Sequence, residues 1–174
     1  KVTVTGQVRT PFNVPVRDAE VYTDHSRSVY CLTDSLGNYA LEVLPGTSLS
    51  VHPGKSLNQV NNNGVTTLDI ALIRRHMLNM NLMNNPYQVV AADVNNSGSL
   101  SPLDIMEIRS LILGKSNHFQ NLLWRFLPAD STFSDPAHPF TFDTLSQFTA
   151  TVPVTDLDFI AVKLGDVNNS WNST

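Results

Sequence analysis

One stretch constrains the chain more than any other: Asp93-Val94-Asn95-Asn96-Ser97-Gly98-Ser99-Leu100-Ser101-Pro102-Leu103-Asp104. Oxygen-bearing side chains stand at loop positions 1, 3 and 5 (Asp93, Asn95, Ser97), a glycine at 6, an apolar residue at 8 (Leu100) and a carboxylate, Asp104, at 12. Alternate side chains in a tight loop converge on one point, Ser99 can add its backbone carbonyl, and the glycine permits the sharp turn. The spacing therefore suits calcium, a hard cation that takes about six to eight oxygens. Helical periodicity starts at once, with Leu103, Met106, Ile108, Leu111 and Ile112 spaced for one apolar stripe. A loop that feeds a helix in this way is half of a calcium-binding helical pair.

The other half lies upstream. Residues 65–79 match residues 100–114 at a constant offset of 35, with Leu68/Leu103, Ile70/Ile105, Ile73/Ile108 and Arg74/Arg109 repeating in place. Asn79 and Gly114 fall where a left-handed C-cap is expected. Two such helices can each cover the other's apolar stripe, which neither does alone. The loop before the first helix departs from the second, because Gly64 precedes Asp69 by five residues whereas Gly98 precedes Asp104 by six. Counting back from Asp69 puts Asn58 and Val60 at positions 1 and 3, a poor coordination sphere. Counting from the glycine gives Asn61, Asn63 and Asp69 as the oxygens. A loop that only caps its helix through Thr66 or Thr67 is the other reading at this point.

The end of the chain repeats the signature in part. Gly165-Asp166-Val167-Asn168-Asn169-Ser170 restates the Asp-x-Asn-x-Ser start, but Trp171 replaces the glycine and no acid stands at position 12. The first loop lacks its Asp-x-Asn and this tail lacks its closing carboxylate. Asp166, Asn168 and Ser170 are therefore expected to fold back beside Asp69 and complete one site. A tail that coordinates a neighbouring module, or nothing, is the competing account.

Residues 1–56 read as all-β. Val2 and Val4 alternate with Thr3 and Thr5, and short strand-like runs around Val21, Val29 to Leu32, Tyr39 to Val43 and Leu49 to Val51 are divided by turns at Asp34 to Asn38, Pro45-Gly46 and Pro53-Gly54. Strands this short need two facing sheets to bury their apolar sides. The expected architecture is multidomain β plus α: a small β-sandwich over 1–56, then a calcium loop-helix pair over 57–174 that carries an aromatic-rich C-terminal extension. In that extension, Trp124 and the phenylalanines of 115–165 are expected to pack over the helical pair rather than to form a carbohydrate-stacking platform.

The first segment resembles the prealbumin-like sandwich of carboxypeptidase regulatory-like and collagen-adhesin B-type surface modules. The resemblance rests on Val4-Thr5-Gly6-Gln7-Val8, Pro15-Val16, Ala19-Glu20-Val21, Thr33-Asp34-Ser35-Leu36-Gly37-Asn38-Tyr39 and Leu44-Pro45-Gly46. It implies a spacer or stalk unit of an extracellular protein. The internal Lys–Asn isopeptide bonds of some related modules are not carried over, since Lys1 and Lys55 are the only lysines of this segment. The duplicated region resembles dockerin type I repeats, specifically the divergent pair near the C-termini of large secreted Bacteroidota proteins. That resemblance implies two calcium loops with packed helices, a secreted or cell-surface location and, as in cellulosomes, a cohesin-like partner. The recognition positions would be Ile70, Ala71, Ile105 and Met106, which are apolar and serve a core as readily.

Several classes are disfavoured. The formal charge is -4 and Arg74-Arg75 is the only basic pair, which leaves a nucleic-acid groove without its electrostatic basis. No run approaches the ~18 apolar residues of a membrane span. Cys31 stands alone, so it forms no internal disulfide, and its neighbours suggest a packed strand residue. No nucleophile–base motif stands apart from the loops. Asp34-Ser35-Leu36 and Asp143-Thr144-Leu145 look like the O-glycosylation signal of exported Bacteroidota proteins. The leading expectation is a non-catalytic, calcium-stabilised extracellular unit of a fibre, adhesin or stalk, touching copies of itself or neighbouring modules. The alternative is a binding module that docks a cohesin-like partner.

Overall fold

The computed structural model describes residues 1–24, 28–56 and 61–172. Among these, the strands β1 (Val2–Arg9), β2 (Glu20–Thr23), β3 (Val29–Leu32), β4 (Asn38–Val43) and β5 (Ser48–Gly54) come first. Helices α1 (Thr67–Met77), α2 (Pro86–Ala92) and α3 (Pro102–Ile112) follow, and then β6 (Trp124–Pro128), β7 (Ser146–Thr149) and β8 (Phe159–Lys163). The strands form two four-stranded sheets with the orders β4-β1-β8-β6 and β3-β2-β5-β7. The fold is thus a mixed β-sheet and α-helix architecture with an aromatic cluster towards its C-terminus.

Alternation builds the N-terminal strands. In β1 the inward residues Val2, Val4 and Val8 are buried while Thr3 is exposed, and β1 pairs antiparallel with β4 from Val2↔Val43 to Gln7↔Asn38. The turn into β4 is held by Asp34, whose Oδ1 accepts the N–H of Leu36 and of Asn38, each at 2.8 Å. Pro53-Gly54 is not the turn expected there, because β5 continues through both and pairs Pro53 with Val21 of β2. On its other side, β7 pairs only with Ser48 to Val51. Pro53 therefore sits where β5 is an edge strand, a position that tolerates proline.

Strands from beyond the helices complete both sheets. β8 runs parallel to β1, with Val8↔Phe159 and Arg9↔Ile160, and antiparallel to β6, from Trp124↔Lys163 to Pro128↔Phe159. Just before β8 the chain also bonds to β1, as Thr5 N–H donates to Val154 O at 2.9 Å and Leu157 N–H to Thr5 O at 3.1 Å. Gly6 permits this approach, since a Cβ there would fall 2.1 Å from the Leu157 carbonyl oxygen. β8 has the continuous apolar run Phe159-Ile160-Ala161-Val162 of a strand covered on both faces, and four of its five residues are buried.

The helices join this same core. α1 and α3 start alike: Thr66 and Ser101 are N-caps in capping boxes closed by Asp69 and Asp104. They also end alike, with Asn79 at φ 54° and Gly114 at φ 66°, as the repeat implies. The connector between them is itself helical. α2 opens on Asn85, whose side chain accepts the Tyr87 N–H, and it buries Val89, Val90, Ala91 and Ala92. It is fixed to the sheet by Gly165 N–H donating to Ala91 O at 2.8 Å and by Arg125 Nη1 donating to Val90 O at 3.2 Å. The buried apolar residues of sandwich and helices form one continuous cluster, from Val2 to Trp171.

Candidate functional site

In the loop of residues 93–104, the side chains that the spacing singled out are drawn together by the backbone. Asp93 Oδ1 and Asn95 Oδ1 both accept the Ser97 N–H, at 2.9 and 3.0 Å. Asp93 Oδ2 accepts the Gly98 N–H at 3.0 Å, and Ser97 Oγ donates to Ser99 O at 3.0 Å. From the far side, Asp104 Oδ2 takes the N–H and the hydroxyl of Ser101 at 2.9 and 3.1 Å, while its Oδ1 reaches the Asn95 N–H at 3.4 Å. The turn requires a left-handed backbone at Asn96 (φ 55°) and Gly98 (φ 76°). Asp93 and Asp104 are 1% and 0% exposed.

The same arrangement recurs at a second place, assembled from two distant segments. Asp166 Oδ1 and Asn168 Oδ1 both accept the Ser170 N–H, at 2.9 and 3.0 Å, and Asp166 Oδ2 accepts the Trp171 N–H at 2.8 Å. Ser170 Oγ donates to Gly64 O at 3.0 Å, so Gly64 stands where Ser99 stands in the continuous loop. Asp69 Oδ2 takes the N–H and hydroxyl of Thr66 at 2.8 and 3.0 Å, and its Oδ1 accepts the N–H of Val167 and Asn168 at 3.0 and 3.3 Å. Asn169 adopts φ 54°, matching Asn96. Asp69, Asp166, Asn168 and Ser170 are thus brought together as the two incomplete signatures implied.

Asn61 and Asn63, counted as oxygens from the glycine, are engaged around this assembly differently. Asn63 Nδ2 donates to Asn172 O at 2.9 Å, and the Asn61 backbone carbonyl accepts Lys163 Nζ at 2.8 Å. The Asn61 Oδ1 is buried and has no hydrogen-bond partner among the described residues. Asn58 and Val60, reached by the other count, lie outside the described residues.

Charge is concentrated at both places. Burial raises the pKa of the Asp69 carboxyl, against the lowering effect of its Thr66, Asn168 and Val167 hydrogen bonds. Burial first, and then the neighbouring Asp69, push Asp166 up to about 6 although three backbone N–H groups oppose the shift. Arg125 is buried as well; desolvation lowers its pKa while Asp93 and Asp104 pull it back up. Among the described residues no group of three or more His, Cys, Asp or Glu forms a metal site. Each assembly has two carboxylates, with an amide, a hydroxyl and a backbone carbonyl beside them. An all-oxygen set of that kind suits a hard cation and not a thiophilic one.

On the helical face, Ile70 and Ile105 are core residues at 7% exposure each, whereas Met106 is 61% exposed. Leu68, Leu103 and Leu113 are exposed too. An apolar groove runs between α1 and α3, lined by Ile70, Ala71, Ile112 and Leu113 and edged by Arg74, Arg75 and Arg109. The aromatics for which packing was expected over a carbohydrate-stacking platform have no such exposure: Phe119, Trp124 and Phe126 are buried, and Trp124 meets Trp171 edge to face at 4.8 Å.

The family model of the dockerin type I domain matches residues 60–113, which hold α1, α2, α3 and the 93–104 loop. The match ends before the segment that carries Asp166, and it spans less than half of the chain. A dockerin-type region is therefore present, and domains of that type are non-catalytic structural or binding modules. No curated protein matches the chain. No helix among the described residues is long and apolar enough to cross a membrane.

Proposed function

We propose that this chain is a non-catalytic, extracellular binding module whose helical pair is held by calcium and docks a protein partner through the face of α1 and α3. The observation that carries the reading is the groove between these helices. Its floor is apolar, its three arginines form no ion pair among the described residues, and Leu113, which lines it, is exposed, as are Leu103 and Met106 of α3. Apolar surface rimmed by polar groups marks interaction sites, and three unpaired arginines favour a partner whose contact surface is edged with carboxylates. A cohesin-like protein is the partner class to which the dockerin match points. Calcium would be held by Asp93, Asn95, Ser97, the Ser99 carbonyl and Asp104. It binds the folded loop and not the unfolded chain, so it stabilises the surface that docks. The protein would work where calcium is about millimolar, at the cell surface or secreted.

Binding of a cohesin-type module, followed by calorimetry with calcium and after chelation, tests this. We expect a one-to-one complex that Met106→Glu and Arg109→Glu abolish without lowering the melting temperature. A complex indifferent to both substitutions, or none with any cohesin-type module, would overturn the docking face. A unit of a fibre, adhesin or stalk is the second reading, favoured by the exposed Tyr30 and Leu32 on β3, an end strand of its sheet. It predicts self-association in sedimentation that Tyr30→Lys removes.

A further inference from the structure

We propose that residues 166–171 and residues 64–69 form one discontinuous calcium site, and that its occupation fastens the end of the chain to the first turn of α1. The inference rests on the calcium reading of the 93–104 loop and extends it to residues that the dockerin match does not include.

Position by position, the two assemblies offer the same donors. Asp166, Asn168 and Ser170 take the places of Asp93, Asn95 and Ser97, the Gly64 carbonyl that of the Ser99 carbonyl, and Asp69 that of Asp104. The cradle is shaped for this. A Cβ on Gly64 would fall 2.7 Å from Asp166 Oδ2 and 2.8 Å from the Trp171 Cα, so a side chain at that position would occupy the space against the tail. Two carboxylates are buried here, at 0% exposure for Asp69 and 5% for Asp166, and neither forms an ion pair among the described residues. Lys163, the nearby cation, is turned to the Asn61 carbonyl and lies 5.6 Å from the centre of the Trp124 ring. Two buried like charges oppose closure, and a divalent cation held by both reverses the sign of that interaction.

Discontinuity gives this site a property that the continuous loop lacks. The 93–104 loop can organise its donors locally, because they are neighbours in sequence. The second set exists only while β8 is docked between β1 and β6 and the tail lies on Gly64. Cation binding there is coupled to tertiary closure, and its loss frees the tail before it disturbs α3.

Calorimetric calcium titration of the metal-free chain, with hydrogen exchange followed at the Val167, Ser170 and Trp171 amides, tests the proposal. The wild type is expected to bind two calcium ions, Asp166→Asn one and Asp104→Asn one. Calcium should slow exchange at the three tail amides in the wild type and in Asp104→Asn, but not in Asp166→Asn. Asn168→Ala, which leaves both carboxylates in place, should weaken one site at least about tenfold while the other is unchanged, and it serves as the reading if Asp166→Asn does not fold. One site in the wild type, lost in Asp104→Asn and kept in Asp166→Asn and Asn168→Ala, would overturn the composite site while the calcium reading of the loop stands. No binding at all would overturn both.

Discussion

Asp69 Oδ1 accepts the backbone N–H of Val167 at 3.0 Å, so the first turn of α1 is tied directly to the segment that follows β8. The carboxylate also closes the capping box of its own helix through Thr66. One side chain thus organises a helix start and a chain crossing at once. Chelation should be felt in both. With free calcium about 100-fold above the dissociation constant, each site adds roughly 2.7 kcal/mol, or on the order of 5–10 °C in melting temperature for a chain of this size. Differential scanning calorimetry in millimolar calcium and after EDTA checks this, and Asp104→Asn should remove about half of the difference.

Gly64→Ala and Gly46→Ala separate backbone strain from crowding. Both glycines have positive φ, at 83° and 78°, but a Cβ on Gly46 meets nothing within 4 Å whereas one on Gly64 runs into Asp166 and Trp171. We expect about 1 kcal/mol from Gly46→Ala and about 2–4 kcal/mol from Gly64→Ala, measured by urea unfolding.

Trp171 is 6% exposed and stands edge to face on Trp124. Trp171→Ala should cost about 3–5 kcal/mol through lost burial and the cavity left over β6. Trp171→Phe keeps part of the contact and should cost less than half as much. Equilibrium unfolding followed by Trp124 fluorescence measures both.

Acid should loosen the end of α1. His76 Nδ1 accepts the Met83 N–H at 3.0 Å, and burial, then the charge of His138, lower its pKa below the usual 6.5. The folded chain therefore favours the neutral ring, while the unfolded chain protonates at its ordinary value. Stability from this group is present above pH 6.5 and is lost as pH falls through the lower folded value. Melting temperatures of the metal-free protein from pH 7.5 to 5 should fall more steeply for wild type than for His76→Gln.

Much of this was legible in the residues, for reasons that differ by element. The capping boxes at Thr66 and Ser101 and the left-handed Asn79 and Gly114 follow from local chemistry, and the sequence repeat placed them in register. The return of Asp166 to Asp69 followed from two signatures that were each incomplete alone. Other features depend on partners that sequence does not display. The run from Phe159 to Val162 shows that β8 is buried, but not that it lies between β1 and β6. Seven residues gave α2 too little periodicity to be told from a packed connector. Ile105 and Met106 are adjacent and both apolar, so only the helix's orientation decides that one fills the core and the other faces out.

The parallel pairing of β1 with β8 sets an order of events during synthesis. The first strand leaves the ribosome some 150 residues before its neighbour, and until Lys163 has emerged the Val8 edge of β1 has no partner in its own sheet on that side. Contacts of such sequence separation form late and slowly. Until that far strand has come through, the sheet lacks the member that joins β1 to β6.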